Sequence, residues 1–182
     1  MLDNVNLADI QSRQWPQEVL EDVWGFLSEA FHKETTVLNT RISPENLKNL
    51  YVRGLSIVKF LHDEMVGHIC AWPVADGFFE VGSVWVRPDL RTHGVGNSLF
   101  EEIKELAQLN NGIVFNITIS PYALKAGARV DFNLHQDWAY PVPWHLTCAP
   151  CDLLPEKEKH SCPKRNISCW LRVMQHDKPR NK

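Results

Sequence analysis

The stretch Arg91-Thr92-His93-Gly94-Val95-Gly96 constrains the fold of this chain more than any other. It follows an apolar run, Val84-Trp85-Val86, that Pro88 closes. It opens a segment with apolar residues at Val95, Leu99, Ile103, Leu106 and Ala107. The run reads as a strand. The segment, at close to the helical period, reads as an amphipathic helix. A strand therefore enters a helix through a glycine-bearing turn. The first amides of a helix have no partner within it and carry partial positive charge. Glycines let an anion approach that backbone closely, so the turn is a candidate pyrophosphate cradle.

The spacing selects among phosphate-binding turns. Gly94 and Gly96 lack the third glycine of a dinucleotide G-x-G-x-x-G turn, and no Lys-Ser or Lys-Thr follows as in a P-loop. The pattern present is R-x-x-G-x-G behind Val86-Arg87-Pro88. It resembles the acetyl-CoA motif of the GCN5-related N-acetyltransferases (GNAT). The alternative is an ordinary glycine-rich turn between strand and helix.

Elements along the chain agree with that resemblance. Pro16 starts a helical segment with Leu20, Val23, Trp24, Leu27 and Phe31 on one stripe. Ser43-Pro44-Glu45 marks a second start, with Ser43 as cap and Leu47, Leu50 and Tyr51 facing inward. Leu55–Leu61 and Met65–Trp72 read as a hairpin across His62-Asp63-Glu64, and Phe78–Val86 as a third strand after the Asp76-Gly77 turn. Asn110-Asn111-Gly112 stops the motif helix. Ile113–Ile119 alternates as a strand, and Ser120-Pro121 begins a helix reaching about Val130. The order ααβββαβα is similar to the GNAT arrangement. That fold adds a first strand, here near Val5–Ile10, and two last strands, here roughly Asp137–Thr147 and Ser168–Met174. The resemblance thus implies an α/β GNAT fold: a mixed sheet of six to seven strands, about four helices, and a Cys-rich loop between the last two strands. We expect one domain over residues 1–176, with an insertion at 148–169 and a polar tail at 177–182.

The resemblance also implies a reaction, transfer of an acetyl group from acetyl-CoA to an amine. The pantetheine arm would lie along Val84, Trp85 and Val86. Amides of Arg91, Thr92, His93, Gly94, Val95, Gly96, Asn97 and Ser98 would hold the pyrophosphate, with Ser120 near the cofactor. Arg91 could touch phosphate itself or make a surface ion pair. An attacking amine must lose a proton, and the thioester oxygen needs an N–H donor as charge develops. Glu80 is the candidate general base. Six residues before Val86, it shares that residue's face if the strand is regular, although a bulge would change the parity. Otherwise it is a solvated strand acid. Ser83 could hold a water, and His68 is either a third candidate base or structural. One departure stands out. The helix tyrosine that protonates the thiolate in many family members aligns with Gly127, and the usual Gly-Phe appears as Asp131-Phe132. Trp24, Phe31, Tyr140, Trp144, Glu29 and Glu34 fall in regions that form the family's acceptor site, which would suit an amine carrying an apolar group.

Four of the five cysteines lie between Cys148 and Cys169. Cys148-x-x-Cys151, followed by His160 and Cys162, has the spacing of a structural zinc site, with Cys169 as an alternative fourth ligand. The alternatives are reduced surface thiols or a disulfide. Cys70 reads as a small buried hydrophobe.

A net charge of −3 gives no reason to expect nucleic-acid binding. A zinc knuckle around Lys157–Arg165 is a weaker alternative, because Glu156 and Glu158 interrupt its lysines. No apolar run approaches the roughly 18 residues of a membrane span, and no signal-peptide pattern opens the chain. We expect a cytoplasmic monomer or homodimer, with acetyl-CoA and an amine as partners. The competing class is a non-catalytic acyl-CoA-binding or zinc-stabilised interaction domain on the same fold.

Overall fold

The computed structural model describes residues 6–12, 21–34, 42–109, 112–118, 121–134, 143, 146–147 and 170–174. A 3-10 turn at Leu7–Asp9 leads into β1 (Ile10–Ser12), then α1 (Glu21–Glu34) and α2 (Pro44–Val52). Next come β2 (Ser56–Leu61), β3 (Glu64–Ala75) and β4 (Phe78–Val86), and a 3-10 turn at Pro88–Leu90. The chain continues as α3 (Val95–Leu109), β5 (Ile113–Thr118), α4 (Pro121–Ala128), β6 (Phe132–Leu134) and β7 (Trp170–Met174).

These strands form one sheet in the order β1-β2-β3-β4-β5-β7-β6. The β4–β5 pair is parallel and its neighbours are antiparallel. A parallel pair needs a crossover, which α3 supplies. Local sequence explains the element ends. Ser43 is extended and its hydroxyl accepts from Asn46 N–H at 3.3 Å, capping α2 with Pro44 in the first turn. His62 at φ +55 turns the β2–β3 hairpin.

Each face of the sheet has its own apolar layer. On one, Ile69, Ala71 and Val81 pack with Val95, Leu99, Phe100 and Ile103 of α3 and Ala126 of α4. On the other, Val58, Phe60, Cys70 and Trp85 pack with Trp24, Leu27 and Phe31 of α1 and Leu47 and Leu50 of α2. Burying each large apolar side chain contributes about 1.5–3 kcal/mol, so the α3 stripe seats the helix firmly. Gly67 lets it come close: a Cβ there would lie 3.1 Å from both Val95 and Leu99.

Lys59, on the α3 face of β2, is buried and pairs with Glu102 of α3. Ser12 and Ser98 also donate to that carboxylate. Removing one partner of a buried pair strands the other charge. We expect Glu102→Ala to lower unfolding free energy by roughly 2 kcal/mol, less than a fully buried pair because Glu102 is partly exposed. Urea unfolding checks this, and Lys59→Met in the same chain should recover part of the loss.

Two strand positions differ from the sequence reading. The first strand lies at Ile10–Ser12 because Leu7–Asp9 turns as a 3-10 helix. The strand described after α4 is Phe132–Leu134, directly after the Asp131 turn, and most of the expected Asp137–Thr147 range lies outside the described residues. Of that range the described residues are Pro143, Leu146 and Thr147, and the last two are helical.

Candidate functional site

β4 and β5 begin as partners and then part. Their register runs Phe78–Ile113, Phe79–Val114 and Glu80–Phe115, and ends there. Beyond Glu80, β4 runs on to Val86 while β5 turns to pair with β7. Asn116 bridges the fork, its buried amide donating to the Val81 carbonyl at 2.6 Å. The gap between the strands therefore opens beside the last two turns of the β4 pleat, where backbone groups are available to an extended ligand.

The far end of β4 delivers the chain into the glycine turn. Arg91 Nε donates to the Val86 carbonyl at 3.0 Å, tying the turn to the strand it leaves. Thr92 and Gly94 have φ of +78° and +92°. The first backbone bond onto the helix is Ser98 N–H to Gly94 O at 3.1 Å, so the amides of Val95, Gly96 and Asn97 precede the internal ladder of α3. Val95 itself is buried and Ser98 Oγ is committed to Glu102. Val95 can therefore offer a phosphate its backbone amide and not its side chain, whereas both the N–H and the hydroxyl of Ser98 are engaged within α3 and its cap. A Cβ on Gly96 would approach Val86 Cγ2 at 3.9 Å and Ala126 Cβ at 4.0 Å, so this glycine lines the cleft between β4 and α4. Arg87 closes the other side of the turn, paired with Glu64 at 2.6 Å and Asp89 at 2.8 Å. The Arg87 guanidinium holds the Asp89 carboxyl below its usual range.

β4 is not regular. Between the His68–Trp85 and Cys70–Gly82 pairs it carries an extra residue, and Ser83 there has φ +50°. This bulge corrects the expected parity. Glu80 lies across from Trp72 on the α1/α2 face, whereas Val84 and Val86 pack on the α3 face. Glu80 and Val86 thus face opposite sides of the sheet. Glu80 is 3% exposed, so it is not a solvated acid, and it sits where the two strands part.

His68 stands on β3 beneath the bulge and is fully buried. Its Nδ1 lies 2.8 Å from the Ser83 carbonyl and must donate to it. Nε2 is then the acceptor, facing Ser56 Oγ at 3.3 Å and Cys70 Sγ at 3.4 Å. Rings of Trp24 and Phe31 stand edge-on to it at 6.0 and 6.2 Å. Both aromatics are core residues, 1% and 5% exposed. Burial lowers the His68 pKa to about 4, against the Ser83 bond, which raises it. Burial also pushes the Cys70 thiol up. Neither group is charged at neutral pH.

That depressed pKa has a stability consequence. The unfolded histidine, with a pKa near 6.5, binds a proton that the folded one refuses until about pH 4. Unfolding free energy is therefore undiminished above that window and falls as pH drops through it, by about 3 kcal/mol from this group. Urea unfolding from pH 7 to 4 should show this slope, and His68→Leu should remove it.

Gly127, aligned with the tyrosine, is buried, and a Cβ there would come within 3.3 Å of Phe132 Cβ. Tyr122 is 71% exposed on the first turn of α4. Asp131 takes φ +67° where the family pattern has glycine, and Lys104 pairs with it at 2.8 Å. Phe26 and Trp85 meet edge to face at 5.3 Å beside the bulge. Glu29 pairs with Lys33 on the exposed side of α1. Ser120, Tyr140 and Trp144 lie outside the described residues. So do Cys148, Cys151, His160, Cys162 and Cys169. Among the described residues no cluster of His, Cys, Asp and Glu could hold a metal, and no helix is long and apolar enough to cross a membrane.

The sequence reading missed the roles of Asn116 and Trp72, and raised a bulge only as the condition that would change the Glu80 parity. Trp72 Nε1 donates to Ser83 Oγ at 3.2 Å, across a Gly82 that leaves room for the ring. Gly82-Ser83 interrupting an otherwise apolar and aromatic strand was the available signal.

The model of the Acetyltransferase (GNAT) family matches residues 9–125, most of the chain and the whole span from β1 into α4. The chain belongs to the GNAT acetyltransferase family. Solved structures agree on the GNAT fold. A putative acetyltransferase, yncA, from Salmonella typhimurium with its cofactor acetyl-CoA superposes with TM-score 0.63 at 11% identity, over 95% of this chain and 97% of that one. Rv2747 from Mycobacterium tuberculosis, in complex with CoA, gives 0.63 at 13% identity, over 92% and 99%. The PaiA N-acetyltransferase from Thermoplasma acidophilum, in complex with coenzyme A, gives 0.57 at 13%, over 92% and 99%. No curated protein sequence matches the chain. Identities this low carry the GNAT fold, not a substrate.

Proposed function

We propose that this chain is an N-acetyltransferase that moves an acetyl group from acetyl-CoA to an amine by direct attack in a ternary complex. The observation that carries this reading is the fork after the Glu80–Phe115 pair, leading along β4 into the Arg91–Gly96 turn. A cofactor with an extended amide arm and a pyrophosphate fits those two features in that order. Val84, Trp85 and Val86 offer backbone to the arm. Thr92 and Gly94 to Asn97 offer amides to the pyrophosphate, since the His93 and Ser98 amides already donate to the Leu90 and Gly94 carbonyls, and Ser120 is a further cofactor contact.

In the transfer the neutral amine attacks the thioester carbonyl and a C–N bond forms. Glu80 accepts the amine proton, directly or through a water at Ser83. As the tetrahedral centre collapses the C–S bond breaks, and the thiolate leaves with the bonding pair. Gly127 supplies no acid at the usual place, so a solvent proton neutralises the thiolate. Cys148, Cys151, His160 and Cys162 supply the ligands of a structural zinc, testable by metal analysis of the purified protein.

The test is thiol release from acetyl-CoA in the presence of a panel of amines: a polyamine, a lysine peptide, a free peptide N-terminus, an aminoglycoside and an amino acid. Amine-dependent release with a matching gain of one acetyl group by mass supports transfer. The glycine at position 127 favours a second reading, an acyl-CoA-binding domain without catalysis. Tight acetyl-CoA binding with no release above the uncatalysed rate across the panel would establish that reading instead.

A further inference from the structure

Resting on that proposed transfer, the geometry points to His68 as a positioning residue that fixes the Ser83 peptide so that the Val84 amide faces the thioester oxygen. The bulge residue is clamped twice from β3. His68 Nδ1–H takes its carbonyl at 2.8 Å, and Trp72 Nε1–H takes its hydroxyl at 3.2 Å. The two clamping side chains stand four residues apart on one face of β3, on either side of Cys70. Ser83 is a non-glycine residue held at φ +50°, a conformation that costs free energy and persists only where its surroundings dictate it.

The clamp has a directional consequence. In a trans peptide the carbonyl and the following N–H point in opposite directions, and the described chain contains no cis bond. With the Ser83 carbonyl turned to His68 on β3, the Val84 N–H is turned away from β3. That is the side on which β5 has left β4. An N–H aimed there meets a thioester carbonyl lying in the fork, and such a donor stabilises the charge that develops on the oxygen.

His68 is itself held rigid. Ser56 donates to Nε2, fixing the tautomer that keeps the proton on Nδ1, and Trp24 and Phe31 pack the ring edges. A buried imidazole in an otherwise apolar layer needs its polar atoms satisfied. Here satisfying them also sets the bulge. The pyrophosphate turn lies beyond the end of β4, eight residues or more past Ser83, so cofactor affinity and thioester polarisation are separable.

The experiment binds acetyl-CoA, labelled with 13C at the thioester carbonyl, to wild type, His68→Leu and His68→Asn, and reads the bound carbonyl resonance. Wild type should bind and shift that resonance downfield of free acetyl-CoA. His68→Leu should bind within about threefold of wild type yet lose the downfield shift. His68→Asn, which restores a donor near Nδ1 but cannot act as a base, should keep most of it. An unchanged shift in a folded His68→Leu overturns the inference, as does a His68→Asn as deficient as the leucine variant. Should the leucine variant not fold, 15N spectra of wild type decide. A proton on Nδ1 with Nε2 bare from pH 5 to 8 is required, and the opposite tautomer overturns the inference. Failure of wild type to bind acetyl-CoA at all is a different result, which sinks the proposed function and this inference with it.

Discussion

Replacing Gly96 with leucine should abolish acetyl-CoA binding, a loss of at least about 100-fold or about 2.7 kcal/mol, while leaving the fold intact. A Cβ at this position meets only ordinary contacts, 3.9 Å to Val86 and 4.0 Å to Ala126. Alanine therefore fits, and it recovers the roughly 1 kcal/mol by which glycine weakens a helix. A leucine must extend further into the space between the end of β4 and α4, beside the amides that precede the α3 ladder. Gly96→Ala should bind within about tenfold of wild type and unfold at the same or slightly higher temperature. Calorimetric titration and thermal unfolding of both variants check this pair of outcomes. A leucine variant that binds normally would mean that the cofactor does not enter between β4 and α4.

Glu80→Gln should lower kcat by roughly 10²–10⁴-fold, the contribution of a positioned general base, with acetyl-CoA affinity changed by less than about twofold. The substitution preserves shape and one hydrogen-bond acceptor. It removes the group that takes the amine proton. Steady-state kinetics on the first acceptor found in the amine panel, with cofactor binding as the control for folding, decide the matter. Unchanged kcat in a variant that still binds acetyl-CoA would make the buried carboxylate a structural feature of the fork.

Features encoded locally were legible in the sequence. The Ser43-Pro44 cap, the hairpin at His62, the strand Phe78–Val86 and the helix opening at Val95 each depend on a few adjacent residues, and each lies where its pattern predicts. The turn between Arg91 and Gly96 was legible for the same reason. The bulge was not. It arises because His68 and Trp72, from another strand, hold both polar groups of Ser83, and a single-strand parity rule has no access to that. The same long-range dependence hid Asn116, whose amide finds the Val81 carbonyl only once the two strands have begun to part. His68 looked like an isolated histidine. Its meaning came from Ser56, Ser83 and two aromatic rings brought around it by α1 and the sheet. The Cys148–Cys162 motif lies outside the described residues and stands on its spacing alone.

The central claim is that the forked strands and the glycine turn form an acetyl-CoA site, and calorimetric titration of the purified protein with acetyl-CoA tests it most directly. One-to-one saturation with Kd near 1 μM, about −8 kcal/mol, is the predicted result. Absence of binding heat across a range of temperatures, in protein shown to be folded, would contradict it.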